Sequence, residues 1–131
     1  MHSRHRHVDE GEGADAFEAR DFTVINRVFD PDIEIRQTAQ LPWGGHHRGH
    51  PGAVEFFSTL LAHIDSKVVP ERMFVAGDAI VQVGRTVGTT KQGTAFDVEA
   101  VHIWQLRSGR VVGFQAYIDT PAMLAALEAN R

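Results

Sequence analysis

Three histidines crowd into "LPWGGHHRGHPG", residues 41–52: His46, His47 and His50. Imidazole is the commonest metal ligand among side chains, and His46 and His50 have the i, i+4 spacing of helical metal sites. Gly49 lies between them and Pro51 follows, so a helix there is disfavoured. In an extended chain His46 and His47 point apart, and no acidic neighbour is placed to orient them. No metal site is expected. The segment reads as a turn into the next helix, with Leu41, Pro42 and Trp43 forming a cavity wall near its mouth.

A richer constellation lies in "AFDVEAVHIWQLR" and "RVVGFQAYID", residues 95–107 and 110–119. If the strands pair outward from a turn at Ser108-Gly109, His102 faces Gln115, Ala100 faces Tyr117, and Val98 faces Asp119. One face then carries Val98, Ala100, His102, Trp104, Gly113, Gln115, Tyr117 and Asp119. The other carries Val101, Ile103, Val112, Phe114, Ala116 and Ile118. A face mixing imidazole, carboxylate, phenol, amide and indole suits a small-molecule pocket better than a solvated surface. The wholly apolar face would pack on another subunit or on the helical layer.

The chemistry follows from the groups. A poorly solvated Asp119 has its pKa raised and can act as acid or base near neutral pH. His102 assists or orients the substrate. Tyr117, Trp104 and Gln115 bind the substrate oxygen, and Trp43 shapes the pocket. Plainer roles compete. Asp119 precedes Thr120, a candidate helix N-cap, and would favour the dipole of the closing helix. His102 could be a satisfied core residue, Trp104 could be packing, and Tyr117 could sit at a dimer rim.

Certain elements must position these groups. Residues 1–8 form a polar tail that holds His2, His5 and His7. Residues 9–20 make a weak helix. A second helix runs over 21–29, with Asp21 as N-cap and Phe22, Ile25, Val28 and Phe29 on one face, and Pro31 stops it. "DIEIRQTA" alternates as a strand with Ile33 and Ile35 on one side. "PGAVEFFSTLLAHI" is a helix with Pro51 in its first turn and Ala53, Phe57, Leu60, Leu61 and Ile64 as its buried stripe. From residue 67 the period changes to two. Four strands joined by short turns at Gly77-Asp78, 91–94 and Ser108-Gly109 form an antiparallel meander, with Gly93 and Gly109 supplying positive φ. "TPAMLAALEANR" closes the chain as a helix with Thr120 as N-cap. Helices segregated from an antiparallel sheet make an α+β fold, one domain over residues 9–131.

The 131 residues are 43% hydrophobic and 23% charged, which are globular values. A net charge of −4 argues against a nucleic-acid partner. No apolar run is long enough to span a membrane, and no secretory signal is evident. The chain has no cysteine, hence no thiol nucleophile, thiolate ligand or disulfide. A cytoplasmic location is the default expectation.

"LPWGGHHRGHPGAVEFF" followed by "AVHIWQLRSGRVVGFQAYIDTPAMLAAL" resembles the SnoaL-like, ketosteroid isomerase-related branch of the NTF2-like superfamily. The motifs are Pro42 to Gly45, Arg48-Gly49, Val54 to Phe57, His102 to Trp104, Gly109, and Tyr117 to Thr120, within residues 20–128. The resemblance implies a cone-shaped α+β barrel, its curved, mostly antiparallel sheet wrapped around N-terminal helices and closed by a short C-terminal helix. It also implies an internal pocket and a homodimer. Ketosteroid isomerases place an Asp after the first strand, where this chain reads Ile35, Arg36, Gln37 and Thr38. Their second acid falls near Ala100 or Val101. The polyketide cyclases' Asp on the last strand, with a nearby His, matches Asp119 and His102. The leading expectation is a cofactor-independent proton-transfer enzyme, an isomerase or cyclase, acting on a small hydrophobic carbonyl compound. Two rivals are a noncatalytic ligand-binding or dimerisation module and an epoxide hydrolase-like enzyme with Glu34 or Asp97 as second carboxylate. Whether Arg36 and His63 point inward is left open.

Overall fold

The structure, a computed structural model, describes residues 24–129. The expected tail, the helix over 9–20 and the Asp21 cap lie outside the described residues. Val24–Val28 forms helix α1, with Ile25 and Val28 buried. The expected helix over 21–29 ends earlier, because Phe29 already opens strand β1, Phe29–Gln37. Pro31 sits where the β1 register shifts, between Phe29 and Glu34, so its missing N–H costs no ladder bond there. Ile33 and Ile35 are buried together, as their alternation requires.

The histidine-rich stretch is not simply a turn. Gly45–Arg48 forms strand β2, antiparallel to β1 with Glu34 opposite Arg48 and Gln37 opposite Gly45. Helix α2 follows directly as Gly49–His63, two residues ahead of Pro51. Ala53, Phe57 and Leu61 are buried as expected, with Phe56 beside them; Leu60 is half-buried, and Ile64 caps the helix and opens the next strand.

Strands β3 (Ile64–Ala76), β4 (Ala79–Thr90), β5 (Ala95–Arg107) and β6 (Arg110–Ile118) form the antiparallel meander. The β5–β6 turn has Ser108 at φ 53° and Gly109 at φ 79°, the two left-handed residues of a tight twisted hairpin. β1 joins β6 in parallel, giving one mixed sheet in the order β2-β1-β6-β5-β4-β3. The α+β architecture is therefore as expected.

Strands β3 and β4 approach each other closely at two glycines. A Cβ on Gly84 would lie 2.1 Å from the Val69 carbonyl oxygen, and one on Gly88 2.0 Å from that of Asp65. Only glycine permits so close a backbone approach. A register shift between Pro70 and Arg72 bends the same strand further.

Helix α2 lies against the concave face. Phe56 packs on Phe57 with centroids 4.9 Å apart, and both reach Phe114 of β6. Helix α3, Thr120–Glu128, buries Met123. Its N-cap is Asp119, one residue before the expected Thr120: the Asp119 carboxylate accepts a 3.2 Å hydrogen bond from the Ala122 N–H. Among the described residues, no helix is long and apolar enough to cross a membrane.

Candidate functional site

Alternate residues of β5 turn inward: Phe96, Val98, Ala100, His102 and Trp104 are all buried. Which β6 residues join them depends on one bulge. Gln105 pairs with Gly113 but Leu106 pairs with Val111, so Val112 is an extra residue on β6. Beyond it the faces are exchanged relative to a regular hairpin. His102 faces Ala116, Trp104 faces Phe114, and Ala100 faces Ile118.

The expected mixed face is therefore corrected. Phe114, Ala116 and Ile118 share the inner side with His102, while Gln115, Tyr117 and Asp119 do not. Tyr117 is 55% exposed. It borders a separate outer pocket of about 330 Å³. Gln115 is half-buried and lines an outer polar groove of about 480 Å³ with Asp30, Asp32 and Glu34. Asp119 is exposed at its helix cap, away from His102, and so takes the plainer of its two expected places.

Between α2, α3 and the concave sheet lies a cavity of about 110 Å³. Trp43, His102 and Trp104 line it, with Phe56, Phe114, Ala116, Ile118 and Met123. Trp43 thus stands in the wall, as expected for a residue that shapes the pocket. Neither indole N–H is left for a ligand. Trp43 Nε1 donates to Gln37 Oε1 at 3.0 Å, and Trp104 Nε1 donates to Gln82 Oε1 at 3.3 Å. Trp104 is accordingly wall and not oxygen binder. Gln37 lines the cavity, and with its Oε1 occupied it has its NH₂ to offer.

His102 is 9% exposed and stacks on Phe114. Among the described residues no hydrogen bond reaches its ring nitrogens. Burial pushes its pKa down from 6.5 to about 4, so it is neutral at pH 7. A neutral imidazole offers one N–H and one lone pair. Thr86 also lines the cavity, is 8% exposed, and has a buried hydroxyl with no partner among the described residues. Among the described residues, no carboxylate lines the cavity.

The other candidates are held elsewhere. His46 Nε2 shares a 2.9 Å hydrogen bond with Glu34 Oε1. His47 bonds to Glu55 and to the Gly44 carbonyl, and His50 to the Phe29 carbonyl. The three imidazoles thus serve four different partners, and two of these, Glu34 and Glu55, are acidic neighbours that the sequence reading did not expect. The bond to His46, then that to Arg36, holds the Glu34 carboxyl below the usual carboxylate range. Asp97 accepts from Arg85 Nε on the outer side of the sheet. Neither Glu34 nor Asp97 reaches the cavity. Arg36 is exposed and donates to Glu34, and His63 bonds the Thr59 carbonyl beside Trp43.

Gln37, Ser66, Lys67 and Thr86 are the polar cavity residues, among those described, that sequence reasoning passed over. A signal existed for Thr86: Gln82, Gly84, Thr86 and Gly88 fall on one parity of β4, and Val81, Val83 and Val87 on the other.

The family model that matches the chain is that of the SnoaL-like domain, over residues 12–114. Among curated proteins none matches. Similar solved structures include an NTF2-like protein of unknown function from Burkholderia pseudomallei K96243. It is 24% identical, with 95% of this chain and 98% of that chain covered and a TM-score of 0.85. TerC, co-crystallised with polyporic acid, is 24% identical, with coverages of 95% and 98% and a TM-score of 0.84. A candidate SnoaL-like polyketide cyclase from Jannaschia sp. CCS1 is 20% identical, with coverages of 96% and 93% and a TM-score of 0.82. At these identities the likeness is one of fold.

Proposed function

The chain belongs to the SnoaL-like domain family of the NTF2-like superfamily, and from that premise we propose that its cavity binds a slender, mostly apolar carbonyl compound whose oxygen accepts a hydrogen bond from His102. The observation that carries this is a buried imidazole with no protein partner among the described residues, set in a mostly apolar wall. Its lowered pKa makes it a weak base but keeps the neutral ring ready to donate, the role a neutral histidine plays when it polarises a carbonyl. Binding to a ligand oxygen would satisfy that donor. Since Asp119 is exposed and caps its helix, and no carboxylate among the described residues lines the cavity, recognition is better supported than proton transfer by Asp119.

Proton transfer on the same compound, as isomerisation or aldol-type cyclisation, is the second reading. It is favoured by the same donor: a hydrogen bond to the carbonyl acidifies the adjacent C–H, whose proton would pass to a water molecule in the cavity and return from it at the new position. A donor aimed at the developing oxyanion is worth ~2.7–4 kcal/mol in a shielded site.

The test is titration with 4-phenyl-2-butanone, followed by NMR of the His102 ring. A saturable shift, lost with His102→Phe, is expected. Unchanged His102 signals, or equal affinity in the variant, would contradict the reading. Deuterium uptake next to the carbonyl in D₂O, abolished by the same substitution, would support proton transfer.

The reading includes a homodimer. The outer sheet face presents Val81, Val83, Val101 and Ile103, half-buried, with Phe74 and Tyr117 exposed. An apolar face of this kind is suited to a second copy of the chain.

A further inference from the structure

We infer that the occupant of the cavity carries a second neutral oxygen group, at the end remote from its carbonyl, and that Thr86 recognises it. This rests on the reading above of the cavity as a carbonyl site. Thr86 pairs with Val98, four residues before His102 on β5. At about 3.3 Å per residue the two polar side chains stand about 13 Å apart along the strand. Both line one cavity, both are more than nine-tenths buried, and both are without a protein partner among the described residues.

The wall between them is apolar, with Ile118, Met123 and Val68 contributing. The cavity thus runs from one polar group to the other along the strand. The shape therefore fits an elongated molecule with a polar atom at each end. Valine would fill the place of Thr86 without a stranded hydroxyl, so the hydroxyl needs a reason. Ser66 adds a second hydroxyl at the same end: it pairs with Gly88, whose lack of a side chain leaves Ser66 and Thr86 unscreened from each other. The group there is neutral. The cation lining the cavity among the described residues, Lys67, is exposed, and a buried carboxylate facing two hydroxyls would keep its desolvation cost.

The test compares 4-(4-hydroxyphenyl)-2-butanone with 4-phenyl-2-butanone, which differ by one hydroxyl opposite the carbonyl. Wild type should bind the hydroxylated ketone about tenfold more tightly. Thr86→Val should erase that difference while leaving affinity for the plain ketone within about twofold, and Thr86→Ser should retain it. If the plain ketone shifts His102 but the hydroxyl adds no affinity, this inference falls and the carbonyl site stands. The same holds if Thr86→Val weakens both ketones equally. If neither ketone perturbs His102, the carbonyl reading falls and takes this inference with it.

Discussion

The imidazole of His102 lies flat against the ring of Phe114, with centroids 5.7 Å apart and planes inclined by 10°. Trp104 presses on the same ring at 4.4 Å. Phe114 reaches this position because Val112 bulges and exchanges the faces of β6. The bulge thus replaces a polar inner face with an aromatic one, and the aromatic face is what strips water from His102.

That desolvation makes stability depend on pH. Unfolded His102 titrates near 6.5 and folded His102 near 4. Between these values the unfolded state binds more protons, so stability falls as pH drops from 6.5 toward 4. Above 6.5 the ring is neutral in both states and contributes no slope. The loss is on the order of 3 kcal/mol over the window. Urea denaturation at pH 7.0 and 4.5 should show a difference smaller by about that amount in His102→Phe. Equal differences in the two proteins would mean that the ring is solvated.

Asp119 is expected to act as a cap and nothing more. Asp119→Ala removes the acceptor for the Ala122 N–H and should cost about 1 kcal/mol by thermal or urea unfolding. Asp119→Asn keeps a capping oxygen and should be close to neutral. Neither should alter ketone affinity. A loss of binding in Asp119→Asn with unchanged stability would restore the aspartate to the site.

Much of this was legible. The α2 stripe, the meander, the tight turn at Gly109 and the shared inward side of Ile33 and Ile35 all follow from periodicity and turn chemistry. The inner face of β6 was not, because "RVVGF" reads as an unbroken strand and nothing in its composition marks Val112 as the extra residue. Parity could not settle the matter either. Val101 and Ile103 are as apolar as the residues that turn inward, so hydrophobicity cannot tell the cavity from the outer face. β2 was hidden because it is only four residues long and glycine and histidine are weak strand formers. Of the six expected site residues, His102, Trp104 and Trp43 meet at the cavity, and the three beyond the bulge are the ones displaced.

Sheet curvature gives a mutational contrast. Gly84→Ala would drive a methyl to 2.1 Å from the Val69 carbonyl oxygen, a backbone atom that cannot swing away. The expected loss is more than about 3 kcal/mol, with poor soluble yield. Gly77→Ala has nothing within 4 Å and carries only the cost of φ 62°, about 1–2 kcal/mol. Unfolding midpoints of the two variants measure the contrast, and near-equal values would mean that β3 does not approach β4 so closely.

The outer face is expected to hold the dimer together. Ile103→Lys places a charge at its centre while leaving the inner face untouched, because neighbouring β5 side chains alternate. Light scattering after size exclusion should report about twice the monomer mass for wild type and the monomer mass for the variant. Ketone binding should persist. A wild-type monomer at micromolar concentration would remove the dimer from the account.

Thr86 supplies the last test, one that needs no ligand. Its hydroxyl is buried and has no partner among the described residues, and a donor left in that state costs about 1–3 kcal/mol. Valine keeps the branched shape and the strand preference of threonine, so packing against Val98 and Val68 should survive. Thr86→Val is therefore expected to raise the stability of the ligand-free protein by on the order of 1 kcal/mol, read as a higher melting temperature. Thr86→Ala also removes the hydroxyl but opens space in the wall, and should gain less or lose. The unusual feature is the sign, since most substitutions at a site this buried destabilise. If Thr86→Val melts lower than wild type, the hydroxyl already has a partner in the free protein.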